Sequence, residues 1–167
     1  MQRIIIIGCG GSGKSTLARR LGEKMGLPVV HLDQIWWSPG NWEHLEREQF
    51  DALLMQELEK PQWILDGNYN RTLELRLERA DTVIWLDYPR IVCLWGWIGR
   101  VLKNWGHARE DMAPGCSEWF DPEMAWWVWN FNKKNRARYR ELLSAQTDKT
   151  VHIFRSRRQA KRFLDSL

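Results

Sequence analysis

The sequence predicts a three-layer α/β domain, in which helices cover both faces of a parallel β-sheet. Its 167 residues suit one domain that can bury a sizeable core. Short apolar runs alternate with longer amphipathic segments along the chain, as in strand–helix–strand units. The first apolar run leads directly into a glycine-rich stretch and then into a helix. We therefore expect a single domain over residues 1–167.

Strands and helices alternate from the beginning of the chain. The strands predicted at 2–7, 28–32 and 62–66 are short apolar runs, typical of a parallel sheet that is buried on both faces. The helices predicted at 14–25 and 42–60 carry leucines at helical spacing, and a Gly or a Pro follows each of them.

The second half of the chain continues this alternation. A helix at 72–79 precedes a strand at 81–86, and a longer helix follows at 91–103. Glycines and a proline within 104–120 predict a long loop. The remaining predicted elements are a helix to about residue 145 that begins with Asp121 as N-cap and Pro122, a strand at 150–154, and a last helix with Ser156 and Gln159 as a capping box.

Charge is distributed unevenly along the chain. Residues 1–89 contain 10 basic and 13 acidic side chains, whereas residues 90–167 contain 15 and 8. A basic half attracts polyanions, which are either nucleotide phosphates or nucleic acid. No apolar run approaches the length of a membrane span, and no signal peptide is recognisable. The three cysteines are odd in number and widely spaced, so we expect reduced thiols and a cytoplasmic location.

A phosphate-binding loop is the strongest motif in the sequence. The stretch that begins at Gly8 fits G-x-x-x-x-G-K-[ST] between a predicted strand and a predicted helix. We expect Lys14 to reach the β- and γ-phosphates of ATP and the Ser15 hydroxyl to bind Mg²⁺. The predicted cofactor-binding residues are Gly8, Cys9, Gly10, Gly11, Ser12, Gly13, Lys14, Ser15 and Thr16.

The same glycines also fit the dinucleotide-binding fingerprint G-x-G-x-x-G, with Asp33 where a ribose-binding acid is expected. That pattern gives no role to Lys14 and Ser15 directly after the third glycine. The phosphate loop is therefore the favoured interpretation, and a purely structural glycine turn is a further alternative.

Carboxylates at the ends of two strands are candidates for metal and acceptor binding. Asp66 ends the third predicted strand and should lie beside Ser15, where it would hold Mg²⁺ through water. The alternative for Asp66 is an ordinary Asp-Gly turn. Asp33 is a candidate to orient an acceptor hydroxyl or to take its proton, or else it only caps the next segment. Trp36 is a candidate to stack on an acceptor, although tryptophans are more often core anchors. His31 is interpreted as a packed or hydrogen-bonded histidine, without a metal partner.

Arginines in the later loops are candidates to stabilise a transferring phosphoryl group. Arg100 and Arg109 bracket a loop that we expect to act as a lid. Arg71 and Arg76 are further members of this set, and Arg136 on the long helix is a candidate for the pocket wall. Each loop arginine alone is more often a solvated surface charge, and the set is favoured because it accompanies a phosphate loop.

The chain resembles the adenylate-kinase-related P-loop kinases over nearly its whole length. The turn at 66–71 resembles the Asp-Gly-x-Pro-Arg turn of nucleoside monophosphate kinases, and 84–89 resembles the strand before their lid. Arg100 matches the arginine that opens that lid. The resemblance implies the P-loop kinase fold with strand order 2-3-1-4-5 and a lid at about 104–120. It also implies that the turn residues Asp66, Gly67, Asn68 and Arg71 bind substrate.

A more specific similarity is to the bacterial DNA topology modulation proteins. It rests on His31-Leu-Asp33…Trp36, Asp66-Gly-Asn-Tyr, Arg109-x-Asp111-Met, Gly115-Cys116-x-Glu118 and Trp127-x-Trp129-Asn-Phe131. The group takes its name from an effect on DNA supercoiling, and the resemblance does not establish an acceptor. The segment 33–60, where we expect the acceptor to bind, lacks the Thr-Gly-Asp-x-x-Arg type of segment that receives AMP in adenylate kinases.

Two functions follow as hypotheses. The first is a Mg²⁺–ATP-dependent phosphotransferase acting on a nucleoside monophosphate or another small metabolite. The second is a nucleic-acid-associated regulator that binds ATP without turnover, supported by a basic cluster near the C-terminus. That cluster comprises Arg155, Arg157, Arg158, Lys161 and Arg162. No membrane partner is expected, and the oligomeric state is left open.

Overall fold

The structure, a computed structural model, describes residues 1–40 and 42–167. Five strands in this part of the chain form one parallel sheet in the order β2-β3-β1-β4-β5. This order confirms the one implied by the resemblance. The strands are β1 (Arg3–Gly8), β2 (Val29–His31), β3 (Trp63–Asp66), β4 (Thr82–Leu86) and β5 (Thr150–Phe154).

Helices follow the strands and pack on the sheet, as the predicted fold class requires. They are α1 (Lys14–Met25), α2 (Leu32–Trp36), α3 (Arg47–Leu58), α4 (Leu73–Arg79) after a 3-10 turn (Asn70–Thr72), α5 (Arg90–Lys103), α6 (Pro122–Ser144) and α7 (Arg157–Ser166). None of the helices in the described part of the chain is both long and apolar enough to cross a membrane.

The prediction of a helix at 42–60 is wrong at its beginning, because α3 starts at Arg47. The short helix α2 was not predicted. The backbone of Trp42 has a φ of 54°, in the left-handed region that a helix excludes. Trp37 pairs antiparallel with His44, and the Leu45 N–H donates to the Trp36 carbonyl at 2.9 Å. These contacts satisfy backbone groups that a longer helix would have used.

The centre of the sheet is the core. The isoleucines of β1 and most of β3 and β4 are fully buried, as expected for strands covered on both faces. Trp63, Trp85 and Trp97 belong to this core. Other tryptophans expose more than a third of their surface, namely Trp42, Trp95, Trp105, Trp119, Trp126 and Trp129.

Residues 104–120, all of which the structure describes, contain isolated bridges and turns but neither a helix nor a strand. We call this stretch the lid segment. Its Met112, Ala113 and Cys116 form a small buried cluster on which Trp37 packs. The Gly40 N–H donates to the Pro114 carbonyl at 2.8 Å. The lid segment therefore docks on the chain that follows α2.

Candidate functional site

A cleft of about 900 Å³ lies at the carboxyl end of the sheet. Its walls come from the glycine-rich loop, the start of α1, the end of α5, the lid segment and α7. Glu110 and Asp111 are the acids among its described lining residues, which also include the cations Lys14, Arg19, Arg20, Arg100, Lys103, Arg109, Arg157 and Lys161. This excess of positive charge suits a polyanionic ligand such as a chain of phosphates.

The glycine-rich loop wraps the beginning of α1. Gly11 and Gly13 have φ values of 77° and 92°, a backbone conformation that glycine adopts without strain. The Lys14 ammonium donates to the Cys9 carbonyl at 3.1 Å, so the lysine folds back along the loop. The Gly8 N–H donates to Asn68 Oδ1 at 3.0 Å. Asn68 thus ties the loop to the turn after β3.

The predicted phosphate-loop residues divide into two groups. Gly11, Ser12, Gly13, Lys14, Ser15 and Thr16 line the cleft. Gly8, Cys9 and Gly10 lie behind the loop and are buried. The Cys9 thiol donates to the Val128 carbonyl of α6 at 3.5 Å, and a Cβ on Gly10 would touch the side chains of α6. These three residues shape and support the loop from the side of α6.

Helix α5 packs on the loop through two glycines. A Cβ on Gly96 would overlap the carbonyl oxygen of Gly11, and a Cβ on Gly11 would overlap the α5 backbone at Cys93 and Trp97. Such an approach of two backbones is open only to glycine. The helix that carries Arg100 is therefore held against the loop that carries Lys14.

Three buried side chains converge beside the loop from separate parts of the chain. His31 ends β2, Asp66 ends β3, and Asp111 belongs to the lid segment. One donor atom from each lies within 4.8 Å of the others. His31 Nδ1 is 2.8 Å from Asp66 Oδ2. Burial opposes the ionised form of Asp111, but the charge of Arg109 and a hydrogen bond from Ser15 keep the pKa of Asp111 below its ordinary value.

Arg100 of α5 and Arg109 of the lid segment form one charged network with Glu118. Glu118 is buried, and its Oε1 lies 2.7 Å from Arg109 Nε and 3.3 Å from Arg100 Nη2. Arg109 Nη1 also contacts Asp111 Oδ2 at 2.6 Å. The two arginines are thereby held at the edge of the cleft with their charges partly neutralised, ready to exchange a carboxylate for an anionic ligand.

Asp33 lies on α2, close to this network. The Tyr69 hydroxyl donates to Asp33 Oδ1 at 2.6 Å. Burial raises the pKa of Asp33, and the negative charge of Asp66 adds to the effect. Tyr69 has a φ of 33°, which is strained for a side chain other than glycine. A carboxylate with a raised pKa that is oriented by one hydrogen bond is suited to accept a proton.

The Arg76 side chain holds the turn that follows β3. The side chain is fully buried, and its guanidinium binds the carbonyls of Gly67 at 2.9 Å and Tyr69 at 3.2 Å as well as that of Asn68. The hypothesis that Arg76 faces a phosphoryl group is therefore not supported, because its donors are used by the backbone.

The predicted residues Asp33, Asp66, Gly67 and Asn68 are not among the described lining residues of the cleft. Three further predicted site residues, Arg71, Arg136 and Trp36, also lie outside it, and each of these three is held by a neighbour. Arg71 is exposed and pairs with Asp51 of α3 at 2.8 Å. Arg136 pairs with the buried Asp87 at 2.7 Å, which joins α6 to the end of β4. The Trp36 ring stacks on His44 at 4.9 Å and also contacts Phe50 and Tyr69. In each case a partner from a neighbouring element holds the side chain.

The sequence reasoning missed four residues of this arrangement. Asp111 and Glu118 entered it only as part of a resemblance, Tyr69 had no role, and His31 was interpreted as structural. Two signals were available. Acids lie two and nine positions after Arg109, and His31 and Asp66 both end parallel strands. Side chains at the carboxyl ends of adjacent parallel strands lie close together, and here their registers coincide.

Known proteins were compared with the chain at the levels of sequence and structure. No family model matches. An adenylate kinase from Clavibacter michiganensis is 27% identical over 109 residues, which are 64% of this chain and 52% of that protein. The chain thus spans about half the length of the curated relative that it matches. At this level the sequence indicates a kinase-like protein without showing a specific family.

The solved structures decide the fold. A shikimate kinase from Bacteroides thetaiotaomicron superposes with a TM-score of 0.58 at 18% identity, covering 99% of this chain and 95% of that one. A shikimate kinase from Acinetobacter baumannii, solved with shikimate, gives 0.61 at 16% identity, with coverage of 99% and 90%. The chain has the P-loop kinase fold. In that fold, the loop of Lys14, the end of α5 with Arg100 and the lid segment with Arg109 face one cleft.

Proposed function

We propose that this protein is a Mg²⁺–ATP-dependent phosphotransferase that moves the γ-phosphoryl group to a nucleoside monophosphate or another small metabolite. The observation that carries the proposal is the convergence of Lys14 with Arg100 and Arg109 in one cationic cleft. A P-loop lysine and lid arginines are the groups that stabilise a phosphoryl group in transfer. The kinase-like fold and the adenylate kinase relative support the same conclusion.

The phosphate loop and the lid segment perform different parts of this function. Backbone N–H groups from Gly11 to Ser15 would cradle the phosphates at the positive end of α1. Lys14 would leave the Cys9 carbonyl for the phosphate oxygens, because a charged partner binds an ammonium more strongly than a carbonyl does. Arg100 and Arg109, which line the same cleft, would bind the transferring group from the end of α5 and from the lid segment.

Asp33 is the proposed proton acceptor when the acceptor group is a hydroxyl. Its raised pKa makes it a stronger base than an ordinary aspartate, and the Tyr69 hydroxyl fixes one of its oxygens. The other oxygen would be directed to the acceptor. Arg71 and Arg136 have no part in this proposal, because Asp51 and Asp87 hold them elsewhere.

The residues beside the loop fit a Mg²⁺ ion. Asp66 Oδ1 is buried and has no hydrogen-bond partner among the described residues, and Ser15 lines the cleft next to the loop. Ser15 would bind Mg²⁺ directly, and Asp66 would bind it through water. When bound, the ion would neutralise charge on the phosphates and align them.

The experiment that tests the proposal is ADP release from Mg²⁺–ATP across a panel of acceptors. The panel contains nucleoside monophosphates, nucleosides and small hydroxy acids, with shikimate included because one structural neighbour was solved with it. A rise with one acceptor is expected, and Lys14→Ala should lower that rate by orders of magnitude. Lys133→Ala, an exposed lysine of α6, serves as the matched control that keeps the rate.

Two outcomes contradict the proposal. A flat panel for protein that binds ATP would exclude phosphotransfer to these acceptor classes. Wild-type rates in Lys14→Ala would exclude the role of the phosphate loop. Circular dichroism of both variants separates loss of chemistry from loss of folding.

The basic cluster near the C-terminus does not favour nucleic acid over nucleotide. Arg157 and Lys161, two of its members, line the same cleft as the phosphate loop. Arg157 Nη2 also reaches the Gly11 carbonyl at 3.4 Å. A role for these side chains with a nucleotide is therefore the simpler proposal, and DNA retention that falls steeply with salt would argue for the alternative.

A further inference from the structure

A compact set of metal-binding donors lies beside the phosphate loop. The set comprises one imidazole, from His31, and two carboxylates, from Asp66 and Asp111. All three residues are buried, with exposures of 7%, 5% and 7%, and the Asp66 side chain itself is only 6% exposed. Buried acids are rarely gathered without a counter-charge, because each ionised group loses its hydration; Arg109 supplies one to Asp111 in this structure. Asp111 reaches this position only because the lid segment is docked.

A second observation indicates that a ligand is missing from this set. Asp66 Oδ1 is fully buried and has no hydrogen-bond partner among residues 1–40 and 42–167. Its other oxygen contacts His31 Nδ1 at 2.8 Å. An unpaired carboxylate oxygen in a buried position costs free energy that a cation would recover.

The donor types indicate which cation fits. Mg²⁺ in proteins prefers oxygen ligands and keeps several waters. An imidazole nitrogen together with carboxylates instead suits first-row transition metals, whose affinity for nitrogen donors exceeds that of Mg²⁺. Two carboxylates with one neutral imidazole also match the charge of a divalent ion.

We propose that His31, Asp66 and Asp111 form a binding site for a divalent transition-metal ion such as Mn²⁺, and that the site is filled in the absence of nucleotide. The site extends beyond the Mg²⁺ position proposed for Ser15 and Asp66, because two of its donors come from β2 and the lid segment. It does not depend on phosphotransfer, since the protein alone supplies every donor.

Arg109 competes with the metal ion for Asp111. Its Nη1 lies 2.6 Å from Asp111 Oδ2, and its Nε contacts Glu118 at 2.7 Å. A bound cation would displace the guanidinium from Asp111 and leave it on Glu118. Metal binding would thereby free the donors on one side of Arg109 for an anionic ligand.

Direct metal binding tests the proposal without any activity assay. Nucleotide-free protein is titrated with Mn²⁺ while electron paramagnetic resonance reports the free ion, and Mg²⁺ is added as competitor. We expect one bound Mn²⁺ per chain and displacement only by a large excess of Mg²⁺. Asp111→Asn and His31→Gln should each weaken binding at least about tenfold, because even partners of metal ligands contribute that much.

Glu110→Gln is the matched control. Glu110 precedes Asp111 in the lid segment, and Glu110→Gln removes one negative charge just as Asp111→Asn does. The Glu110 side chain is 82% exposed and lies outside the donor set. This variant should bind Mn²⁺ as the wild type does. Arg109→Gln should bind Mn²⁺ more tightly, because it removes the competing cation.

Three results would overturn the proposal: no Mn²⁺ bound by nucleotide-free protein, unchanged binding in Asp111→Asn, or Mg²⁺ competing as an equal. Should Asp66→Asn or another variant fold poorly, thermal unfolding of the wild type with and without Mn²⁺ still decides, because a specific ion raises the melting temperature. A failed acceptor panel would leave Mn²⁺ binding unaffected, so the two proposals fail separately.

Discussion

Asp33, the proposed proton acceptor, is oriented by a residue with a strained backbone. Tyr69, which orients it, adopts a left-handed backbone that is held by the buried guanidinium of Arg76. Strain of this kind persists only where the surroundings enforce it, and it concentrates at functional sites. The raised pKa of Asp33 has a consequence for stability that is opposite to that of most carboxylates.

A carboxyl whose pKa is raised by folding favours its protonated form in the native state. Ionisation of this carboxyl therefore lowers the free energy of unfolding as the pH rises through the folded-state pKa. The loss is absent below the unfolded-state pKa of about 4. Asp33→Asn should raise the melting temperature at pH 7 and leave it unchanged at pH values below about 4. It should also lower turnover at least about a hundredfold if Asp33 accepts the proton.

Thermal unfolding at several pH values checks this expectation. Asp51→Asn is the control of opposite sign, because a hydrogen bond from Arg71 lowers the pKa of Asp51. The stability that ionised Asp51 contributes is present above its unfolded-state pKa and is lost as the pH falls through its folded-state pKa. A lower melting temperature of Asp33→Asn at pH 7 would contradict the assignment of Asp33 as an unfavourably ionised carboxylate.

At the scale of elements, α5 links the lid segment to the phosphate loop. Gly96 lets the helix touch Gly11, whereas a Cβ built on Gly99, one turn further along, would meet no described atom within 4 Å beyond its chain neighbours and its own helix backbone. The helix continues to Lys103 and carries Arg100 into the cleft. A displacement of α5 would therefore move the arginine and deform the loop together.

The two glycines of α5 provide a matched pair of variants. Gly96→Ala should lower the free energy of unfolding by about 1–3 kcal/mol, the usual cost of overpacking, and weaken ATP binding. Gly99→Ala should raise the free energy of unfolding by about 0.5–1 kcal/mol, because alanine has a higher helix propensity than glycine and its methyl group has room. Urea denaturation and nucleotide titration measure both effects. Equal behaviour of the two variants would refute the close contact.

At the scale of the whole molecule, the reactivity of the three cysteine thiols indicates which parts of the structure unfold first. Cys9, Cys93 and Cys116 are buried. The neighbouring Cys93 side chain, together with burial, raises the pKa of Cys9, and both residues belong to the main core. Cys116 belongs instead to the small cluster under the lid segment. Small peripheral clusters open at a lower free energy than a main core does.

Cys116 should therefore react first with a thiol reagent in native protein, and Cys9 and Cys93 only after global unfolding. A non-hydrolysable ATP analogue should slow the first phase, because a ligand bound by Arg100 and Arg109 holds the lid segment closed. Reagent kinetics with mass spectrometry assign each phase, and Cys116→Ser should abolish the first. Simultaneous reaction of all three thiols would contradict a separately opening lid segment.

The sequence by itself determined the features that depend on neighbouring residues. The phosphate loop was predicted because its glycines, Lys14 and Ser15 are contiguous between a strand and a helix. The strands were predicted because burial on both faces requires unbroken apolar runs. The N-cap role of Asp121 was predicted in the same way, and its side chain accepts from the Glu123 N–H at 2.8 Å. The strand order required the family resemblance in addition.

The tertiary structure decided which distant side chains meet. Arg71 and Arg136 are as basic as Arg100 and Arg109, but Asp51 and Asp87 hold the first two away from the cleft. Asp111 joins His31 and Asp66 because the lid segment packs on Trp37. Periodicity defines the face of a helix on which a residue lies, but the packing of one element on another selects its partner. Charge partners that are far apart in sequence were therefore decided only by the tertiary structure.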